Sequence, residues 1–301
     1  MAFAQGSRSQ LAIGALETSF TAAAGAVTTS LPFNTHSLNL TKDRVAGNEI
    51  QPDRMDRVDR HGNKTVAGDI SVDLRNSTYD SLIQSALMTS DALSGGASIG
   101  TTPSYFTIED QFKDIDKARK FTGMTVSTMG VSIAPNQMVT TTFGMVGKDM
   151  SLETAATAVA VDDSEPVPYD SYSGTISVGG SAVSIVTSLD FTLTNSFAPT
   201  FVVGSDSAPQ LEFGKAVLEG TLTAYVEDLT TLENLFVSEV ESSISAQVGD
   251  GTNTMTFLIP RVKFNSGDIP VDGPNSRIIN LSFVGLYESA VNDTLFKITT
   301  T

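Results

Sequence analysis

The chain is predicted to be mainly β, built as two tandem copies of one strand-rich domain, each with a short flanking helix. Three observations predict this. From Val66 to Leu74 every even position is apolar or Gly and the odd ones are mostly polar, the period-2 signature of a strand with one buried and one exposed face. Leu218 to Val226 repeats the pattern 152 positions later, with Gly220 at the same step as Gly68. Ser, Thr, Val and Gly are abundant and turn residues recur at short intervals, which suits strands joined by tight connections.

The bulk properties bound the answer. The 301 residues are 40% hydrophobic and 17% charged, enough for one large or two ordinary globular domains with a proper core. Lys plus Arg number 18 against 34 Asp plus Glu, a net charge of −16. Such a chain is poorly suited to gripping nucleic acid, whose phosphates it repels. Cys is absent, which excludes a disulfide framework, a thiolate zinc site and a thiol nucleophile. No stretch approaches the roughly 18 apolar residues of a membrane span. Met1 to Arg8 lacks a basic region leading into an apolar core, so no Sec-type signal is read there. The expected setting is the cytoplasm or an assembly built there.

Taken in order, residues 1–30 contain the small-residue run Thr21 to Ala26 and are expected to form a weakly structured N-terminal arm. The first domain is placed at 31–150. Ser37 to Lys42 alternates and predicts a strand. Asp43 to Asn63 does not alternate; it carries Pro52 and the interleaved Asp53, Arg54, Asp56, Arg57, Asp59 and Arg60. A connection of that length inside a compact domain usually has a task. Its alternating charges are either a self-compensating solvated surface or a patch that pairs with another subunit. The strand at 64–74 follows. Ser77 and Asp80 then resemble a helix start, with Tyr79, Leu82, Ile83, Ala86 and Leu87 on one helical face. Residues 89–103 predict a loop, and 104–112, 121–133 and 138–147 predict strands.

The acidic, Pro-bearing stretch Asp162 to Asp170 marks a connecting segment, placed at 151–184. Its acidic pair lacks the spacing of a calcium-binding loop. The second domain, placed at 185–290, replays the first. Ser188 to Thr192 matches Ser37 to Thr41 at an offset of 151, and the connection Thr194 to Lys215 follows. After the second glycine strand, Thr230 to Glu233 reads as a capping box, with Leu232, Leu235 and Phe236 on one face. Strands are predicted at about 243–248, 254–264 and 277–287, and 291–301 is expected to be a C-terminal tail. A fixed-offset repeat of this kind reads as a tandem duplication.

The residues that carry chemistry are sparse. His36 and His61 are the two histidines, and neither stands in a zinc motif or beside a nucleophile elbow. Phosphate-cradling glycine motifs are absent. Scattered carboxylates in so acidic a chain say little. No catalytic, metal or cofactor site is expected.

The order of these motifs carries a resemblance. Ser37-Leu38-Asn39-Leu40, the charged connection through Arg60-His61-Gly62-Asn63-Lys64, and the strand Val66-x-Gly68-x-Ile70-x-Val72 followed by a short helix are similar to the major tail tube proteins of long-tailed, non-contractile bacteriophages. Gly214 to Asp228 of the second copy resembles the same family. The resemblance covers about residues 30–288. It implies a β-sandwich or barrel with a flanking helix. It implies rings stacked into a hollow tube, with four strands per domain joining round the ring into an inner β-barrel. The connections Asp43–Asn63 and Thr194–Lys215 would contact the next ring; the second lacks the Asp/Arg alternation, so its interface should be less electrostatic. Partners implied are other copies of the chain, a tape measure protein inside the tube, terminator and distal tail proteins at its ends, and DNA as cargo that is not bound. No membrane is involved. Such rings commonly hold six domains, so a two-domain chain is expected to close a ring of three copies with pseudo-sixfold symmetry; a ring of six copies is the second expectation.

Two other classes compete. A secreted or surface β-sandwich binding module, an adhesin or carbohydrate-binding pair, would favour exposed aromatics, yet Trp is absent. A hydrolase on a β scaffold is disfavoured by the two histidines and the missing Cys. Under the tube reading, the polar strand face presents Asp69 and Asp73 in the first copy and Glu219 and Glu227 in the second, the candidates to line the channel.

Overall fold

The computed structural model describes the chain except residues 1–2, 21–24, 54, 56–57, 162–165, 228–231, 272 and 274–275. The protein is mainly β. The first half contributes β1 (Ser9–Gly14), β2 (Val27–Leu31), β3 (Thr35–His36), β4 (Asn39–Ala46), β5 (Asp59–Asp73), α1 (Asp80–Leu87), β6 (Ala97–Ser98), β7 (Phe106–Phe112), β8 (Lys117–Ile133), β9 (Thr140–Gly147) and β10 (Asp149–Glu153). The second contributes β11 (Asp170–Val178), β12 (Ser181–Ala182), β13 (Val186–Thr194), β14 (Ala198–Thr200), β15 (Gln210–Glu212), β16 (Val217–Tyr225), α2 (Leu232–Val237), β17 (Ser242–Gly249), β18 (Thr254–Phe264), β19 (Ile278–Gly285) and β20 (Lys297–Thr300).

Each half pairs its strands in the same antiparallel order. β4–β5–β9–β8 form a four-stranded sheet in the first half, and β13–β16–β19–β18 form one in the second. A second sheet faces each: β2–β1–β7–β8–β10 in the first half, and β12–β11–β17–β18–β20–β6 in the second. β8 belongs to both layers. Residues 117–124 pair in the outer sheet and residues 125–132 in the other, with a register shift between Val126 and Thr128 where the strand turns the corner.

The alternation read from the sequence is the burial pattern observed. Val66, Ile70 and Val72 are fully buried, as are Leu218, Leu222 and Ala224. The two strands sit in matching registers: Gly68 lies opposite Met145, and Gly220 opposite Phe283. The offset between halves therefore drops from 152 at the glycines to 138 at their partners, because residues 89–103 lengthen the first half. Gly68 is required by its surroundings. A Cβ there would lie 2.6 Å from the Ser37 carbonyl oxygen and 2.7 Å from Leu38 Cα, and its φ is +152°. Gly220 is equally crowded, with Asp190 O and Phe283 Cζ both at 2.5 Å from such a Cβ.

α1 packs Leu82, Ile83, Ala86 and Leu87 into the core, as its apolar stripe predicts. Its start differs from expectation. Ser77 takes a positive φ of 58° and its hydroxyl bonds Asn76; Tyr79 is the N-cap position and no side chain caps the helix. Met88 closes the other end in the left-handed region. For α2, Leu232 is buried, while Thr230 and Thr231 of the expected capping box lie outside the described residues.

Three terminal or connecting segments are more ordered than their sequence suggests. The expected arm contains β1, whose Leu11, Ala12 and Ile13 are buried in succession because both faces of the strand are covered. The connecting segment carries β11 and β12. The expected tail ends in β20, which inserts between β18 and β6 of the first half and buries Phe296 and Ile298. Phe296 meets Phe191 edge-on at 5.5 Å and stacks with Phe257 at 6.3 Å. One contiguous apolar core runs from Leu11 to Ile298 through both halves.

Candidate assembly surface

The sheets of the two halves meet edge to edge. β8 pairs antiparallel with β13 over six residue pairs, from Ile133 opposite Leu189 to Thr128 opposite Thr194. The result is one continuous sheet in the order β4–β5–β9–β8–β13–β16–β19–β18. Its inner face is apolar, with Phe143, Met129, Phe191, Leu222 and Leu281 among the buried side chains. Its outer face is polar in register across the junction. One row reads Ser71, Thr142, Gly130, Thr192, Glu219, Val284 and Lys263; the next reads Asp73, Thr140, Ser132, Asp190, Thr221 and Ser282.

Of the four carboxylates expected on this face, three are there. Asp69 and Glu219 are exposed, and Asp73 is half-buried and accepts a hydrogen bond from Asn34 Nδ2 at 2.8 Å. Glu227 is exposed but lies past the end of β16, beside a cavity under β12 and α2. Asp190 is a fourth carboxylate on the face, exposed and accepting from Ser132 Oγ across the junction. Its signal in the sequence is the alternation of Leu189 and Phe191 with Ser188, Asp190 and Thr192, in the stretch that repeats Ser37–Thr41. The single basic residue in these rows, Lys263, is engaged with Glu239 at 3.3 Å.

The expected loop at 43–63 is flanked by an antiparallel ribbon, since its ends, 43–46 and 59–63, belong to β4 and β5. β4 and β5 continue to pair through Arg44–His61, Val45–Arg60 and Ala46–Asp59, past the end of β9, whose pairing stops at Val66. Both faces of this ribbon are exposed, so no apolar alternation marks it. Arg44 Nε donates to Asp59 at 2.7 Å. With both side chains more than half exposed, that pair adds well under about 1 kcal/mol. Asp53 accepts from the Met55 backbone, Arg60 is exposed, and Arg54, Asp56 and Arg57 lie outside the described residues.

The second long connection behaves differently. β14 and β15 form a small ribbon that folds over the first half. Phe197 and Leu211 pack with Phe20, Met88 and Tyr105. Asn195 is buried and donates its side-chain amide to the Ala86 carbonyl at the end of α1, 2.7 Å away. The Lys64 backbone donates to Asp206 O at 2.7 Å, and Lys64 Nζ reaches Asp206 at 3.0 Å and Asp149 at 3.4 Å. The hydrogen bond to Asp206 outweighs desolvation and raises the Lys64 pKa. These contacts join residues far apart in the chain, and no local pattern announces them.

Buried polar groups hold the outer sheet. Asp110 is almost fully buried between Arg119, 2.6 Å away, and His36, 3.5 Å away. Burial alone pushes its carboxyl up, but the hydrogen bonds from His36 and Arg119 prevail and hold it below its ordinary value. Buried Glu109 accepts from the backbone and hydroxyl of Thr157, each at 2.7 Å, and so fastens the connecting segment to the first half. Among the described residues no three His, Cys, Asp or Glu side chains cluster as a metal site would need, and no helix is long and apolar enough to cross a membrane.

The comparisons with known proteins bear on what such a surface is for. No individually curated protein matches the chain. The family model described as phage tail tube protein matches residues 6–285, nearly the whole length and both four-stranded sheets. The chain therefore belongs to the phage tail tube protein family and is a structural component of a virion tail.

Proposed function

We propose that three copies of the chain close into a ring, that rings stack into the tube of a long, non-contractile tail, and that DNA passes through the channel during ejection. The observation that carries this reading is the β8–β13 junction. It joins two like-ordered four-stranded sheets edge to edge within one chain. The same junction has open ends. Among the described residues β4 pairs on one side alone, with β5. Past Val262, the run from Lys263 onward pairs with β19 and is followed by bonds from Asn265 to Ser282 and between Asp268 and Asn280. Repeating the junction between β4 of one chain and this run of the next removes both edges, which are otherwise aggregation sites.

In this reading each half is one tube domain of a tandem duplication, at about 31–150 and 185–290, each led by a hairpin, β1–β2 or β11–β12. The polar face of the sheet lines the channel, with Asp69, Asp73, Asp190 and Glu219 turned to the DNA and Glu227 at its rim. A negative wall repels phosphates, so the genome slides rather than sticks. The ribbon carrying Asp53, Asp59 and Arg60, with Arg54, Asp56 and Arg57, makes contacts to another copy. A tape measure protein fills the channel before ejection, and terminator and distal tail proteins close the ends. Assembly takes place in the host cytoplasm. Native mass spectrometry of assembled rings tests the stoichiometry: three chains per ring are expected, and six would sink the pseudo-sixfold reading.

A further inference from the structure

At the ends of β16 and β19 lies a cavity of about 380 Å³, walled by Ile99, Ala216, Val217, Leu286, Tyr287 and Leu295. The corresponding place in the first half is filled. Val146 sits opposite Ala67 there, as Val284 sits opposite Glu219 here. Val146 packs against the cluster that Phe197 and Leu211 complete. Both of these come from the long connection of the adjoining sheet, and Asp206 of that connection bonds the Lys64 backbone and its ammonium. Lys64 precedes Gly68 by four residues, and Ala216 precedes Gly220 by four, with Lys215 beside it. Among the described residues, the second half thus has the socket but no plug from its own chain.

We propose that the tip of the β4–β5 ribbon of a second copy, the side-by-side neighbour, fills this cavity; the proposal rests on the ring reading. The tip has the chemistry that the socket lacks. Ile50 is 96% exposed and Met55 69%, and each gains by leaving water. Lys215 is exposed and, among the described residues, makes no ion pair. Asp53 lies between the two apolar residues, and its carboxylate stands toward Lys215 as Asp206 stands toward Lys64. Each chain donates one plug and receives one, so the contact is heterologous and closes with the ring.

The chain has no Cys, so an engineered pair reports alone. Chains carrying Ile50→Cys and chains carrying Ala216→Cys are mixed, assembled and oxidised; disulfide-linked dimers are expected from the mixture and from neither variant by itself. A chain carrying both substitutions should give covalent species that stop at the closed ring. A ladder running past the ring would put the tip on a stacked ring and overturn the proposal. Met55→Cys repeats the test from the other side of the tip. If rings form normally on microscopy yet neither tip residue cross-links, the docking is refuted and the ring reading stands. If the unmodified chain forms no rings, the ring reading falls and the docking with it. Ala216→Trp fills the socket independently. It should leave the melting temperature of the unassembled chain unchanged and raise the concentration needed for assembly about tenfold; unchanged assembly would overturn the proposal.

Discussion

Substituting Gly68 with Ala puts the geometry of the central sheet to a direct test. The backbone of β3 and β4 crosses Gly68 closely, and two bonds pin that crossing: Ser37 N donates to Asp69 O, and Asp69 N donates to Ser37 Oγ, both at 2.9 Å. A methyl group at 68 would stand 2.6 Å from Ser37 O and 2.7 Å from Leu38 N, where ordinary contact begins at 3.4 Å. Backbone, not a flexible side chain, is in the way. Overpacking of that kind costs about 1–3 kcal/mol, and a Cβ at positive φ adds about 1 kcal/mol. The sum of roughly 3 kcal/mol corresponds to a fall in Tm of about 6–12 °C for a chain of this size. Gly220→Ala is the companion. Its Cβ would meet the Asp190 backbone oxygen and the buried Phe283 ring, each at 2.5 Å, so a packing loss of about 1–3 kcal/mol is expected, without the positive-φ cost added at Gly68. Thermal unfolding of the unassembled variants, followed by near-UV circular dichroism, measures both. A Gly68→Ala chain melting within about 1 °C of the parent would refute the reasoning, as would a larger loss at Gly220 than at Gly68.

Three further outcomes are expected. Asp110→Asn should cost about 2–4 kcal/mol at neutral pH, because Arg119 and His36 lose a buried carboxylate. The depressed pKa of Asp110 means that its contribution is present above the unfolded value and lost as pH falls through the folded one. The parent should therefore lose stability below about pH 4 more steeply than the variant in acid titrations followed by fluorescence of the tyrosines. Lys64→Ala should cost about 1 kcal/mol and speed proteolysis within residues 201–207; since the Lys64 pKa is raised, the parent's advantage is present at neutral pH and fades as strong alkali passes the folded value. Asp69→Lys combined with Asp73→Lys should leave tubes assembling but slow DNA ejection severalfold; ejection at the parental rate would count against a channel lined by this face.

The parts of the fold that could be read from the sequence are those with one wet and one dry face. β5 from Val66, β16, β13 and β9 each alternate, and the structure buries the residues that alternation selects. Strands that break the condition were missed or misjudged. The outer end of the β4–β5 ribbon is wet on both faces, so no alternation marks residues 43–46 and 59–63 as strand. β1 is dry on both faces at Leu11, Ala12 and Ile13, so it looked like part of an arm. β20 is four residues long, too short for a period to register. Among the site residues, Asp69, Asp73 and Glu219 followed from parity along their own strands. Asp190 needed the same parity carried across a strand pair. Glu227 kept the parity after its strand had ended. The Lys64–Asp206 and Asn195–Ala86 contacts depend on how one half lies against the other, which no local pattern encodes.

The six-pair seam between β8 and β13 would also change what the proposed ring costs to make. Each encounter between free subunits gives up translational and rotational freedom worth on the order of 4–15 kcal/mol. A covalent link holds the two edges of this seam at an effective concentration near millimolar or above, whatever the abundance of the protein. In a three-chain ring every second seam is then settled during folding, and only the alternate ones depend on supply. The linked seam is correspondingly free to be weak. It places Thr128, Gly130 and Ser132 beside Thr194, Thr192 and Asp190 on its wet side, small polar pairs that add little adhesion of their own. In the proposed ring, selection for sticking power would fall on the unlinked seam, and the linked one would be left to be smooth toward whatever moves along it.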